Sequence, residues 1–255
     1  MNEVITSLQN PRIKALVRLQ DKASERREQG LVVIEGHKEI GLAVAAGLVV
    51  RDLYRCPALG APQPATRANV IEVSRDVFAK IAYRDDSDGL VAVAEAPRRE
   101  LAALAESAKL VLIVAAVEKP GNLGAIIRTA DGVGADAVIV CDPRCDVWNP
   151  NAIRASVGTI FAVPVVACSS DEARAWAKAR GLRVAVAVLA GVELWDAPLV
   201  GPLALVFGTE HEGLDAAWIA AADVRVRIPM RGTNDSLNVS VAAAVLAYEA
   251  ARQRR

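Results

Sequence analysis

From residue 110 onward the chain alternates short, unbroken apolar runs with helical patterns, and this alternation limits the available folds more than any other feature. Residues 110–116 contain no polar side chain, as in a strand buried on both faces of a sheet. Further strands are read at 137–140, 182–188, 203–207 and 224–228, and helices at 121–133, 171–180, 213–222 and 236–253. Such repetition predicts an α/β fold with a mostly parallel sheet covered by helices.

The preceding residues are more charged and their elements shorter. A helix is read over 7–29, with Pro11 in its first turn, Leu16 and Leu19 on its apolar face and Gly30 as its stop. Strands follow at 31–35, 49–55, 70–73 and 89–94, with helices over 38–46 and from a Ser74 cap to Ile81. Residues 56–68, with Pro57, Pro62 and Pro64, read as loop, and 98–107 as a connecting helix after the break at Pro97. The resulting division is a small α/β domain over 1–97, a linker over 98–108 and a second domain over 109–255.

With 53% apolar residues, the chain is not an intrinsically disordered one. The 30 basic residues are matched by 30 acidic ones, so any nucleic-acid surface must be a local patch. Arg12, Lys14, Arg18, Lys22, Arg26 and Arg27 lie on the first helix, but Asp21, Glu25 and Glu28 are interleaved, as on a solvated face. The 4 Cys are too scattered for a disulfide scaffold, and the Cys141/Cys145 pair lacks the partners of a zinc site, so no metal is expected. No apolar run approaches the roughly 18 residues of a membrane span, and residues 1–20 lack a signal-peptide core. A cytoplasmic protein that does not enter membranes is the expectation.

Packing alone does not explain three stretches. Residues 118–130 follow a buried strand and open a helix; Gly121 and Gly124 allow close approach of backbone to a ligand, and Arg128 stands about one helical turn after Gly124. This stretch contains neither a dinucleotide fingerprint nor a Walker loop. Residues 206–214 again follow a buried strand, with Gly208 and Gly213 bracketing Glu210, His211 and Glu212. A ligand loop at the carboxyl end of a strand fits this arrangement, as does a solvated capping turn. Residues 228–242 form a polar, turn-rich loop with Ser236 as its expected N-cap. Asn238 and Ser240 then fall inside an apolar helix, where their type is unfavourable and hints at function.

In this order, the stretches resemble the motifs of the SpoU-type RNA 2′-O-ribose methyltransferases, a branch of the trefoil-knotted SPOUT superfamily. Asn122-x-Gly124-x-x-x-Arg128-Thr129 is similar to the first motif, Gly208-x-Glu210-x-x-Gly213-Leu214 to the second, and Ile228-Pro-Met-x-Gly232-x-x-x-Ser236-Leu-Asn-Val-Ser-Val-Ala242 to the third. Between them, Arg154-Ala-Ser-x-Gly158-x-x-Phe161 is similar to a further family segment. The N-terminal part resembles, more loosely, the L30e-like substrate-binding domain that many members carry.

The resemblance implies a deep trefoil knot in the C-terminal domain and S-adenosylmethionine as cofactor, held largely by backbone near Gly208, Ile228 and Leu237. It implies that Arg128 faces the target 2′-hydroxyl, with Asn122, Glu210, Ser236 and Asn238 as its polar surroundings. Arg128 would be either the base or a clamp on the neighbouring phosphate; a guanidinium holds its proton too firmly to be a ready base. The resemblance also turns Arg12, Lys14, Arg18, Arg26 and Arg27 into expected phosphate contacts to rRNA or tRNA. It implies a homodimer formed through the C-terminal domain. A non-catalytic RNA-binding protein is the alternative from another class, but Arg128, Asn122 and Asn238 are all retained. An rRNA methyltransferase protecting against an antibiotic is the alternative within the class.

Overall fold

The computed structural model describes residues 4–62, 67–84, 86–209 and 212–254, and the chain divides into two compact units. The first comprises the chain up to Pro97 together with Trp148–Ala162; the second comprises Arg98–Val147 and Val163–Arg255.

In the first unit, α1 (Pro11–Asp21) starts where the Asn10 side chain accepts the Arg12 N–H at 2.9 Å, and it buries Ile13, Leu16 and Leu19. Lys22 is extended, so the helix expected over 7–29 is two helices, the second being α2 (Ala23–Gln29). The turn between them points Arg26 back at α1. Next come β1 (Leu31–Glu35), α3 (His37–Ala45), β2 (Val50–Arg55), β3 (Asn69–Glu72), α4 (Arg75–Ile81) and β4 (Leu90–Glu95). The sheet order is β1-β4-β2-β3, with β4 antiparallel to both neighbours and β2 parallel to β3.

Residues 148–162 fall within the expected C-terminal domain, where no element is expected of them, yet they are largely helical and are part of the first compact unit. The second unit interposes β5 (Leu110–Ala115), α5 (Pro120–Val133) and β6 (Ala137–Cys141) before α6 (Pro150–Ala155) and α7 (Thr159–Ala162). Ala152, Ile153, Ile160 and Phe161 are buried, and the Arg154 guanidinium lies 5.5 Å from the Tyr83 ring centroid. Gly158 (φ +79°) faces Glu39 Cα and Leu42 Cδ1 so closely that a Cβ would stand 3.0 Å from each. Only the apolar character of these residues was available locally; their docking partners lie far away in sequence.

The second unit continues with β7 (Val165–Cys168), α8 (Ser170–Ala179), β8 (Arg183–Glu193), β9 (Leu203–Phe207), α9 (Ala216–Ala220), β10 (Val224–Arg227) and α10 (Val239–Gln253). Its six strands are ordered β10-β8-β9-β5-β6-β7, and every pair is parallel. This confirms the α/β class and the parallel sheet. Strand β7, only 4 residues long, has no counterpart among the expected strands. Strand β8 runs five residues beyond Val188, where its register with β10 shifts between Arg225 and Val226. The expected helix over 98–107 is only a short 3₁₀ turn at Leu101–Ala103, after which Leu104 is extended and buried in the sheet's core. Among the described residues, no helix is long and apolar enough to cross a membrane.

Candidate functional site

Because the strands are parallel, the loops after β5, β9 and β10 all leave the same edge of the sheet, where open α/β sheets bind ligands. Strands β5 and β9 are neighbours, with Val114 opposite Phe207. The chain leaves β5 through Ala116, whose φ of +52° is unusual for a non-glycine residue and whose N–H donates to the Cys141 carbonyl at 2.7 Å. Pro120 then opens α5, which buries Leu123, Gly124, Ile126, Ile127 and Ala130 against the sheet. Asn122 is half-buried on the first turn. Arg128 lies on the exposed side, and its side chain makes no hydrogen bond or ion pair among the described residues.

After β9, Thr209 and Gly213 pair across a tight loop, with N···O distances of 3.0 and 3.3 Å. Gly213 has φ +70°, and a Cβ on Gly208 would stand 2.2 Å from the Gly213 backbone, so this loop closes only with glycine at 208. The closure also shortens the helix expected over 213–222 to Ala216–Ala220, capped by Asp215. Glu210 and His211 lie outside the described residues. Glu212 is tied to the first loop through Arg144, which bonds Glu118 at 2.7 Å and Glu212 at 3.3 Å. Nothing in the local sequence signalled this role for Arg144.

The third loop, 228–238, begins with half-buried Ile228, Pro229 and Met230 and is exposed from Arg231 to Asn238. Ser236 is not the N-cap: its hydroxyl donates to Asp235 at 3.1 Å, and α10 starts at Val239. Asn238 is the cap. Its Oδ1 accepts from the Ser240 N–H at 2.9 Å and the Ser240 hydroxyl at 2.7 Å. Asn238 and Ser240 therefore break no helix rule, because an Asn cap with a first-turn Ser is a favoured start. The cap leaves the Asn238 Nδ2 free to donate to Asn122 Oδ1 at 3.3 Å, which joins the first and third loops across 116 residues.

These loops carry side-chain amides, hydroxyls and backbone groups, and Arg128 is an exposed cation further along α5, the helix that the first loop opens. Among the described residues, no cluster of His, Cys, Asp or Glu could hold a metal ion. Two thiols of the unit are poor nucleophiles: burial pushes Cys145 up to about 11, and Cys141 is raised by its hydrogen bond with Cys168 and by burial. Half-buried Ile228–Met230, a partly exposed Leu237 and the closed backbone loop at Gly208 offer a ligand apolar side chains and main-chain groups rather than charged side chains.

On the first unit, Arg12, Lys14, Arg18 and Arg27 are exposed, but Arg26 is buried at 2% exposure. It donates to the carbonyls of Leu19 and Gln20, the latter at 2.7 Å, and so satisfies the C-terminal end of α1. It is thus withdrawn from the expected phosphate contacts. The two-helix break, invisible to residue spacing, decides this.

A sequence model of the SpoU rRNA Methylase family matches residues 109–248, and one of the MRM3-like substrate binding domain matches residues 10–92. The 23S rRNA (guanosine(2553)-2′-O)-methyltransferase RlmP of Bacillus subtilis is 32% identical over 246 residues, covering 96% of this chain and 97% of that protein. The crystal structure of an RNA 2′-O ribose methyltransferase aligns with a TM-score of 0.86 at 41% identity, covering 98% of this chain and 99% of that one. An AdoMet-bound rRNA methyltransferase from Sinorhizobium meliloti aligns with a TM-score of 0.89 at 30% identity, covering 98% and 97%.

Proposed function

The chain belongs to the SpoU rRNA methylase family, and from that premise we propose that this RNA 2′-O-methyltransferase modifies a ribose of large-subunit rRNA. Its activity is the transfer of a methyl group from S-adenosylmethionine to an RNA ribose 2′-hydroxyl. The observation that carries the residue-level reading is the Asn238–Asn122 bond, which brings two of the three sequence motifs together at the carboxyl edge of the sheet.

The loop backbone at Gly208, Ile228 and Leu237 would hold the cofactor, consistent with the apolar side chains and the glycine-only loop there. When bound, S-adenosylmethionine supplies an electrophilic methyl group on a sulfonium centre. Arg128 grips the phosphate beside the target ribose and aims its 2′-oxygen; guanidinium groups keep their proton near neutral pH, which favours the clamp over a base. Asn122 and Asn238 fix each other and present amide groups to the ribose, with Ser236 and Glu210 completing the polar surroundings. Arg12, Lys14, Arg18 and Arg27 contact phosphates, which positions the RNA without reading its sequence.

The same reading takes the second unit as a trefoil knot. It is supported by a sheet order that brings β8 and β9 back between β10 and β5, and by α10 packing on α5. It takes the enzyme as a homodimer, supported by an apolar stripe on and beside α10, where Leu237, Val241 and Tyr248 are 37%, 47% and 56% exposed. An RNA substrate of this kind supports action in the cytoplasm. The test is methyl transfer from labelled S-adenosylmethionine to unmodified rRNA and tRNA in EDTA, with the product nucleotide mapped by mass spectrometry. Labelled 2′-O-methylribose in 23S rRNA is the expected result. Methylation of tRNA alone would remove the rRNA assignment, and base methylation would remove the ribose chemistry.

A further inference from the structure

Arg144 lies in the loop after β6 and links three loops of the second unit. Its backbone N–H donates to the Val117 carbonyl at 3.1 Å, and its guanidinium bridges Glu118 after β5 and Glu212 after β9, at 2.7 and 3.3 Å. The three side chains are 50%, 46% and 72% exposed. Ion pairs so open to water contribute little to stability, so holding the fold does not account for the arrangement. What it changes is the local field. Glu118 lies in the loop that leads into α5, four residues before Asn122, and Glu212 lies in the loop after β9, so both carboxylates stand on loops assigned to the methylation site. Left alone, they would repel a polyanion at the place it must enter. One shared guanidinium lowers their combined charge from −2 to −1.

We propose that Arg144 is a positioning residue that acts as counter-charge to Glu118 and Glu212, admitting the RNA backbone to the catalytic loops without itself contacting substrate. The inference rests on the reading of those loops as the RNA methylation site. It carries a signature that a purely structural brace lacks. S-adenosylmethionine has a net positive charge, so the extra negative charge exposed by losing Arg144 opposes RNA binding but not cofactor binding.

The test uses the full chain as wild type, Arg144→Gln and the triple variant E118Q/R144Q/E212Q. RNA affinity is measured by fluorescence anisotropy on an rRNA fragment that the wild type methylates, and S-adenosylmethionine affinity by calorimetry. Arg144→Gln is expected to weaken RNA binding on the order of tenfold at low salt, by a factor that shrinks as salt screens the repulsion. Cofactor affinity should be unchanged or higher, and single-turnover transfer at saturating RNA retained. The triple variant should regain RNA affinity to within about twofold of wild type. A triple variant as weak as Arg144→Gln would overturn the proposal in favour of direct phosphate contact. Parallel loss of RNA and cofactor affinity would reduce Arg144 to a loop brace, and unchanged RNA affinity would leave it no role. A wild-type protein that methylates no RNA ribose would instead defeat the functional reading beneath it.

Discussion

Arg128→Ala separates chemistry from folding. Arg128 is exposed on α5, and its side chain has no partner among the described residues, so its removal forfeits no internal interaction there. Alanine is at least as good a helix former as arginine, and surface substitutions of this kind stay within about 0.5 kcal/mol. For 255 residues, an unfolding entropy of about 2.1 cal/mol/K per residue means that such a change moves Tm by only about 1 °C. The expected loss in single-turnover methyl transfer is about 10²- to 10³-fold, the usual cost of deleting one group that stabilises the reacting geometry. Cofactor affinity by calorimetry should stay within about twofold of wild type, since Gly208, Ile228 and Leu237 belong to other loops. Arg128→Lys sharpens the result: a two-pronged grip on phosphate makes lysine nearly as poor as alanine, whereas a point charge lets lysine retain much of the rate. Near wild-type turnover in Arg128→Ala would refute the argument and shift attention to Asn122, Glu210 and Asn238.

Gly208→Ala should abolish S-adenosylmethionine binding and lower Tm, because its Cβ would overlap the Gly213 backbone at 2.2 Å; calorimetry and a thermal melt together check this. Asn238→Ala should cost about 1 kcal/mol of stability through the lost cap. Asn238→Asp keeps the cap acceptor but loses the donor to Asn122, so it should preserve Tm while slowing methyl transfer. Arg27→Glu should weaken RNA binding in a salt-dependent way, whereas Arg26→Ala should lower stability by about 1–3 kcal/mol, since it strands buried carbonyls, and leave RNA affinity nearly unchanged. Equal effects of these two arginine substitutions on RNA affinity would contradict the burial of Arg26.

The sequence by itself determined every strand but β7, and the loops that carry the three motifs. A run such as 110–115 without polar side chains can only be a buried strand or helix segment, and its length and Val/Ile content choose the strand. Gly208 and Gly213 advertise a tight loop because glycine alone tolerates the close approach and the positive φ that the loop requires. Tertiary structure alone decided what depends on meetings between distant residues. It made Asn238 a cap and joined it to Asn122, 116 residues away. It turned Arg26 inward at a break that the helical spacing over 7–29 does not show. It packed residues 148–162 into the first unit, and it placed Arg144 between two carboxylates from different loops. Periodicity records which face of an element is apolar; it does not record which partner covers that face. Polar side chains near an element's end find their role only when a second segment supplies the other half of the hydrogen bond.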